Sequence, residues 1–218
     1  MGGIMMKIAV IGASGNAGQA IFKEATKRGH EVTGIVRHAE KAKSILGAEA
    51  HIVEHDAFTL TKEDLVAYDV VVDAFNAPIK QAYLHIDLAT HLIHELRETT
   101  QPRVIFITGA ASLTHPDGGL LYDHLIKLPG HEAWIATPEN QYAELEFLRH
   151  VTNVNWLAVS PSQTFEAGDA TAYVRGEDTL LFDDQGQSVL SSGNLALLIL
   201  DEIETPQAHQ HRITARNQ

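Results

Sequence analysis

The chain has 218 residues, 44% of them hydrophobic and 20% charged, a formal net charge of −12 and no cysteine. That length suits one domain with a sizeable core, and the acidic balance repels a nucleic-acid backbone. The missing thiols exclude disulfides, thiolate metal sites and a cysteine nucleophile.

Ile8 to Ile11 is a continuous apolar run that breaks at Gly12, the pattern of a strand buried on both faces of a parallel sheet. An amphipathic helix follows from Gly18 to about Arg28, ended by Gly29. Between them lies Gly12-Ala13-Ser14-Gly15-Asn16-Ala17-Gly18. Strand, glycine turn and helix start make a phosphate cradle, because a backbone without Cβ lets a pyrophosphate reach main-chain N–H groups at the positive helix end. The spacing Gly-x-x-Gly-x-x-Gly differs from the usual Gly-x-Gly-x-x-Gly dinucleotide fingerprint. A tight turn with no ligand is the alternative.

Glu31 to Val36 reads as the second strand, with Arg37 at its end and His38 and Lys41 nearby. An acid there would bind a ribose 2′-OH, whereas an arginine suits a 2′-phosphate. Arg37 therefore favours NADP (as NADPH), with NAD as the alternative. Residues 38–46 read as a helix and 50–54 as a short strand before His55-Asp56-Ala57-Phe58. Thr61 and Asp64 form a weakened capping box for a helix to Ala67. Residues 69–75 are a fourth strand, broken at Asn76-Ala77-Pro78, and 79–98 a long helix with leucines at 84, 88, 92 and 96. Residues 103–108 form the fifth strand, ending in Gly109-Ala110-Ala111-Ser112. This alternation predicts an α/β fold with a doubly wound, mostly parallel sheet. Its ligand would lie at the carboxyl ends of the strands.

Residues 113–140 turn irregular, which suits a functional loop or lid. A helix over 138–150, a strand over 154–159 ending at Ser160-Pro161, short strands within 163–187, a helix over 193–203 and a strand over 211–215 complete the chain. No linker divides it, so residues 1–218 read as a single domain with 113–140 and 161–192 as substrate-side loops.

His51-Ile52-Val53-Glu54-His55 spells a zinc-protease motif. That motif needs a helix, whereas here it falls in a strand that points Glu54 away from both histidines; no metal site is expected. Ser112 follows a strand-end glycine turn, as catalytic serines of some dehydrogenases do, although turn and cap serines are commoner. A tyrosine with a lysine four residues later is absent: Tyr122 precedes Lys127 by five, and Tyr142 precedes Glu146. A simple ketone needs a proton donor for its alkoxide. A flavin needs little beyond two flat rings held in contact.

Val10 to Gly18, Arg37, the Phe75-Asn76-Ala77 break, Thr108 to Ser112, Ser160-Pro161-Ser162, and the stretches Leu180 to Ser188 and Asp201 to Glu204 together resemble the atypical short-chain dehydrogenase/reductase group. Within it the chain is most similar to the NAD(P)H-binding NmrA-like and biliverdin-reductase-B-like proteins, including those named NADH-flavin reductases. The resemblance implies a Rossmann-like NAD(P)-binding domain with a small C-terminal substrate region, and reduction of flavins or quinones. It implies pyrophosphate contacts from Gly12, Ser14, Gly15, Asn16 and Ala17, with Ala13 between them, and a 2′-phosphate contact from Arg37. Asp56 and Ala57 would flank adenine, and Phe75, Asn76 and Ala77 would line the ribose. Thr108 and Gly109 would approach the nicotinamide, with Ser112 and Pro161 near the acceptor.

The leading expectation is thus an NADPH-dependent reductase of a flavin or similar flat acceptor, with Ser112 as its catalytic candidate. A non-catalytic NADP(H)-binding redox sensor is the alternative. A nucleotide-sugar isomerase or dehydratase is weakened by the short C-terminal region. No stretch is long and apolar enough to span a membrane, and no signal-peptide or myristoylation pattern opens the chain. Met1–Met5 reads as a leader before a start at Met6. A cytoplasmic monomer or homodimer is expected, partnered by a small molecule and by neither membrane nor nucleic acid.

Overall fold

Ile8, Ala9, Val10 and Ile11 are buried on both sides, which a central parallel strand permits because helices cover both faces of its sheet. The computed structural model describes residues 4–218, so the leader reading of Met1–Met5 lies partly outside the described residues. In chain order the elements are β1 (Lys7–Ile11), α1 (Asn16–Lys27), β2 (Glu31–Val36), α2 (Ala39–Leu46), β3 (Ile52–Glu54), α3 (Lys62–Leu65), β4 (Val70–Asp73), α4 (Leu84–Leu96) and β5 (Thr99–Ile107). Then come α5 (Leu121–Leu125), α6 (Ala136–Leu148), β6 (Val154–Ser160), β7 (Thr164–Glu166), β8 (Tyr173–Gly176), β9 (Val189–Ser191), α7 (Ser192–Glu204) and β10 (His211–Asn217).

Eight strands form one sheet in the order β3-β2-β1-β4-β5-β6-β10-β8, and β7 pairs with β9 in a separate two-stranded ribbon. Every neighbour in the large sheet is parallel except β8, which runs antiparallel to β10. Side chains alternate across the strands and divide the interior into two layers. Ile8, Val10 and Val72 pack with Ile21 of α1 and Leu195 and Ile199 of α7 on one face. Ala9, Val71 and Val104 pack with Leu88 and Leu92 of α4 and Leu145 of α6 on the other. The doubly wound, mostly parallel architecture expected from the strand–helix alternation is the one observed.

Several boundaries differ from the sequence reading. The long helix expected over 79–98 begins only at Leu84. Pro78 holds extended backbone, a single 3-10 turn spans Ile79–Gln81, and the helix ends at Leu96 because Arg97 turns extended and Glu98 adopts φ 59°. β5 then starts at Thr99, four residues early, with a register shift between Thr99 and Val104. Helix α3 is one turn long, yet its capping box is complete: the Thr61 hydroxyl accepts from Asp64 N–H while Asp64 accepts from Thr61 N–H. Helix α6 starts at Ala136, leaving Pro138 in a first turn where its missing N–H breaks no helical bond. The irregular stretch 113–140 contains α5, and its Leu113 and Leu121 bury against Leu180. Segments 113–140 and 161–192 thus share a small apolar core of their own.

Candidate active site

The glycine turn owes its shape to three absent side chains. Gly12 has φ 74°, and a Cβ there would stand 2.7 Å from the carbonyl oxygen of Ala74. A Cβ on Gly18 would stand 2.3 Å from the carbonyl oxygen of Gly12, and one on Gly15 would lie 3.3 Å from the same oxygen. The turn is thereby pressed between β4 and α1. Gly12 N–H donates to Ile35 O, and Gly15 N–H donates to Gly12 O. Helix α1 starts at Asn16 with no side-chain cap and no acid in its first turn. Its first N–H groups, on Asn16, Ala17 and Gly18, have no intrahelical acceptor. A bare, positive helix end behind a cradle that any Cβ would fill fits a pyrophosphate.

The turn opens onto a cleft of about 730 Å³ at the carboxyl ends of β1, β4, β5 and β6. Gly15, Asn16 and Ala17 line it together with Phe75, Asn76, Thr108, Gly109 and Pro161, all expected from sequence. Gly12, Ala13 and Ser14 form the turn behind that wall. Ala77, the residue after Asn76, is buried, and its N–H donates to Nε2 of His85 at 3.4 Å. Asp56 caps the 3-10 turn Ala57–Thr59 by accepting from Phe58 N–H. Phe58 meets Phe75 edge-on, with centroids 5.6 Å apart, linking the Asp56–Ala57 segment to the cleft floor. Arg37 is exposed at the end of β2 and takes part in none of the ion pairs formed among the described residues. The zinc-like sequence falls in and beside β3, where His51 Nδ1 meets the Thr33 hydroxyl at 2.9 Å and Glu54 accepts from Ala39 N–H.

Ser112 is where the structure departs from the expected site. It is 2% exposed and does not line the cleft, although Ala110 and Ala111 do. Nη1 of Arg212 donates to its hydroxyl at 3.2 Å. The same guanidinium group reaches the Ser160 hydroxyl at 3.4 Å, and Ser160 bonds Thr108 at 3.0 Å. Nε and Nη2 of Arg212 both donate to Oδ1 of Asp178. Burial lowers the Arg212 pKa, opposed by Asp178. Ser112 is one post of a buried frame behind Thr108, and no contact with an acceptor follows from this position.

Sequence reasoning placed segments 113–140 and 161–192 beside the site but did not single out the residues of the far wall. Leu121, Leu125 and Leu128 of the 113–140 segment, with Trp134, Pro138 and Phe165, face the strand ends across the cleft. Gln141 also lines it, its Oε1 lying 2.5 Å from where a Cβ on Gly109 would be. Glycine at 109 therefore makes room for an amide. The signal lay in the periodicity of α6, whose positions 137, 138 and 141 share one side.

Beneath the floor, three titratable side chains sit without a counter-ion among the described residues. Asp73, at the end of β4, is buried, which pushes its pKa up to about 6, although its Oδ1 accepts from Phe75 N–H at 3.0 Å. Glu144 of α6 is 2% exposed, and its Oε2 has no hydrogen-bond partner. Burial first and the Asp73 charge second raise its pKa well above the usual carboxylate range. Burial pulls His85 down to about 4, which suits the acceptor role of its Nε2.

A doubly wound sheet with a glycine cradle and a cleft at its switch point defines a nucleotide-binding α/β protein. The sequence model of the NAD(P)H-binding family matches residues 12–206, and the chain belongs to that family. Its cofactor class is a nicotinamide dinucleotide. The chain is 37% identical to the uncharacterised protein YwnB of Bacillus subtilis (strain 168) over 212 residues, 96% of this chain and 97% of that protein. A Lactobacillus casei protein of known structure is 44% identical, with a TM-score of 0.90 over 97% of this chain and 99% of its own. A Streptococcus pneumoniae TIGR4 structure, provisionally named an NADH-flavin reductase, is 34% identical, with a TM-score of 0.86 over 98% of this chain and 100% of its own.

Proposed function

We propose that this protein is an NADPH-dependent oxidoreductase that passes hydride to a flat acceptor, of the flavin or quinone type. The observation that carries the reading is the two-sided cleft: a cradle and polar strand ends on one side, an apolar wall on the other. Gly12 to Ala17 hold the pyrophosphate through backbone N–H groups, and Arg37 pairs with the 2′-phosphate. Asp56 and Ala57 flank the adenine, Phe75, Asn76 and Ala77 the ribose, and Thr108, Gly109 and Pro161 the nicotinamide end. The cofactor, when bound, supplies a hydride, and the proton that completes the reduced acceptor comes from water. The chain's part is to stack two ring systems and exclude water between them. The frame of Arg212, Ser112, Ser160 and Thr108 holds the strand ends in place.

The Streptococcus relative's provisional name supports this class. The test is NADPH and NADH consumption by purified protein, with and without excess flavin or quinone. Acceptor-dependent consumption of NADPH well above the protein-free rate supports the reading. A redox sensor is the second reading, favoured by the absence of any acidic or basic side chain among the described residues lining the cleft. Tight NADPH binding with no consumption across all acceptors would decide for it.

A further inference from the structure

The far wall of the cleft has a chemical character that the proposed function leaves open. Among the described residues, none that lines the cleft is charged, and none is a histidine. Its polar members are amides and hydroxyls, and the wall facing the strand ends is leucine, tryptophan, proline and phenylalanine with Thr137 and Gln141 beside Pro138. Binding an anion in such a slot strips its hydration without supplying a counter-charge.

The surroundings add to the penalty. The lid segment 113–140 carries four acids, Asp117, Asp123, Glu132 and Glu139, against a single lysine, Lys127. Beneath the floor stands the carboxyl group of Asp73, buried without a counter-ion among the described residues. The buried cation nearest the strand ends, Arg212, is bound to Asp178 through both Nε and Nη2. The chain as a whole has a net charge of −12. An anionic cofactor escapes this field because its phosphates lie at the bare helix end and beside Arg37, on the opposite side of the cleft. An anionic acceptor has no such refuge.

We infer that the acceptor is an uncharged flat ring system, a carbonyl-bearing aromatic of the quinone class without phosphate, sulfonate or carboxylate groups, which docks against Leu121, Leu125, Leu128 and Trp134. This rests on the reductase reading for its chemistry, and its balance is simple. One hydride from NADPH and one proton from water reduce the quinone to its hydroquinone, leaving NADP in its oxidised form. Water suffices as the proton source because a hydroquinone anion is far less basic than the alkoxide of a simple ketone. No cysteine is present to be arylated by the quinone.

The experiment compares two matched pairs in the native chain: 1,4-naphthoquinone against its 2-sulfonate, and riboflavin against FMN. Each pair differs by one ionised group. Two readouts are taken, kcat/KM with NADPH and quenching of tryptophan fluorescence, since Trp134 lines the slot while Trp156 is buried elsewhere. The neutral member of each pair is expected to win by at least about tenfold in both readouts, with the naphthoquinone ahead of riboflavin. Leu128→Arg, placing a cation on the half-exposed lip, is expected to shift each pair toward its anionic member by about fivefold or more. Equal or better binding of the sulfonate and FMN in the native chain would overturn the inference, as would a failure of both neutral members to quench. If no acceptor is turned over but quenching still favours the neutral members, the reductase reading fails while the uncharged-ligand assignment stands.

Discussion

Replacing Gly18 by alanine tests whether the cradle is as tight as its geometry. In an ordinary helix the exchange stabilises by about 1 kcal/mol, since alanine is the better helix former. Here the new Cβ would lie 2.3 Å from Gly12 O, 2.8 Å from Ala13 Cα and 2.9 Å from Gly12 C. All three are backbone atoms, so no rotamer change relieves the contact. Helix α1 must move from the turn by about 1 Å to restore normal separation. Such overpacking costs roughly 1–3 kcal/mol, which outweighs the propensity gain. A net loss of up to about 2 kcal/mol is expected, lowering Tm by up to roughly 8 °C in a domain of this size. The same displacement spoils the N–H cradle, so the NADPH dissociation constant should rise by about tenfold or more. Thermal melts followed by circular dichroism, with and without NADPH, read both effects. A variant that melts higher than the native chain and binds NADPH within about twofold of it would refute the reasoning.

Arg37→Asp is expected to weaken NADPH binding by roughly 1.5–3 kcal/mol, the scale of a charged hydrogen bond. NADH should be much less affected, and equal weakening of both cofactors in a fluorescence titration would show that Arg37 does not read the 2′-phosphate. Ser112→Ala should leave kcat within about threefold, because the side chain serves Arg212, and cost about 1–3 kcal/mol of stability for the lost hydrogen bond to a charged group. Asp73 and His85 make opposed contributions to the pH dependence of folding. Asp73 is raised to about 6, so the stability it contributes is complete below its unfolded value and is lost as pH rises through 6. His85 is lowered to about 4, so folding loses stability as pH falls from its unfolded value of 6.5 toward 4. The two slopes offset one another between about pH 4 and 6. Relative to the native chain, Asp73→Asn should gain up to about 3 kcal/mol near pH 8, whereas His85→Gln should gain as pH falls toward 4. Denaturant unfolding across that range checks both, and a constant difference at all pH values would remove these groups from the account.

The parts of the molecule legible in its sequence were those fixed by local backbone demands. Ile8 to Ile11 announced a strand buried on both faces, and Gly12, Gly15 and Gly18 announced a turn without room for Cβ. The break after Phe75 and the glycine after Thr108 marked strand ends that do line the cleft. What stayed hidden depended on contacts between distant segments. Leu121, Leu125 and Leu128 read as an irregular stretch because α5 is barely more than one turn long, and its leucines find their purpose only against Leu180 and the cleft. Ser112 looked available because nothing near it in sequence reveals Arg212, a hundred residues away, donating to its hydroxyl. Glu144 sits in a helix whose own sequence pattern does not single it out. Its burial follows from Asp73 and α4 closing over the same side of α6, which no pattern within residues 136–148 announces.

The place of β10 in the sheet has a consequence for how the molecule comes into being. The strand lies between β6 and β8, and Oδ1 of its Asn217 accepts from Ser191 N–H and from Nδ2 of Asn194. During synthesis β6 must therefore wait with an open edge, and β8 with no partner in the large sheet, until residues 211–217 emerge from the ribosome. Until that moment Arg212 cannot reach Ser112, Ser160 or Asp178. A ribosome-stalled nascent chain still lacking those residues would already hold the Gly12–Gly18 turn but none of the Arg212 frame that stands behind Thr108.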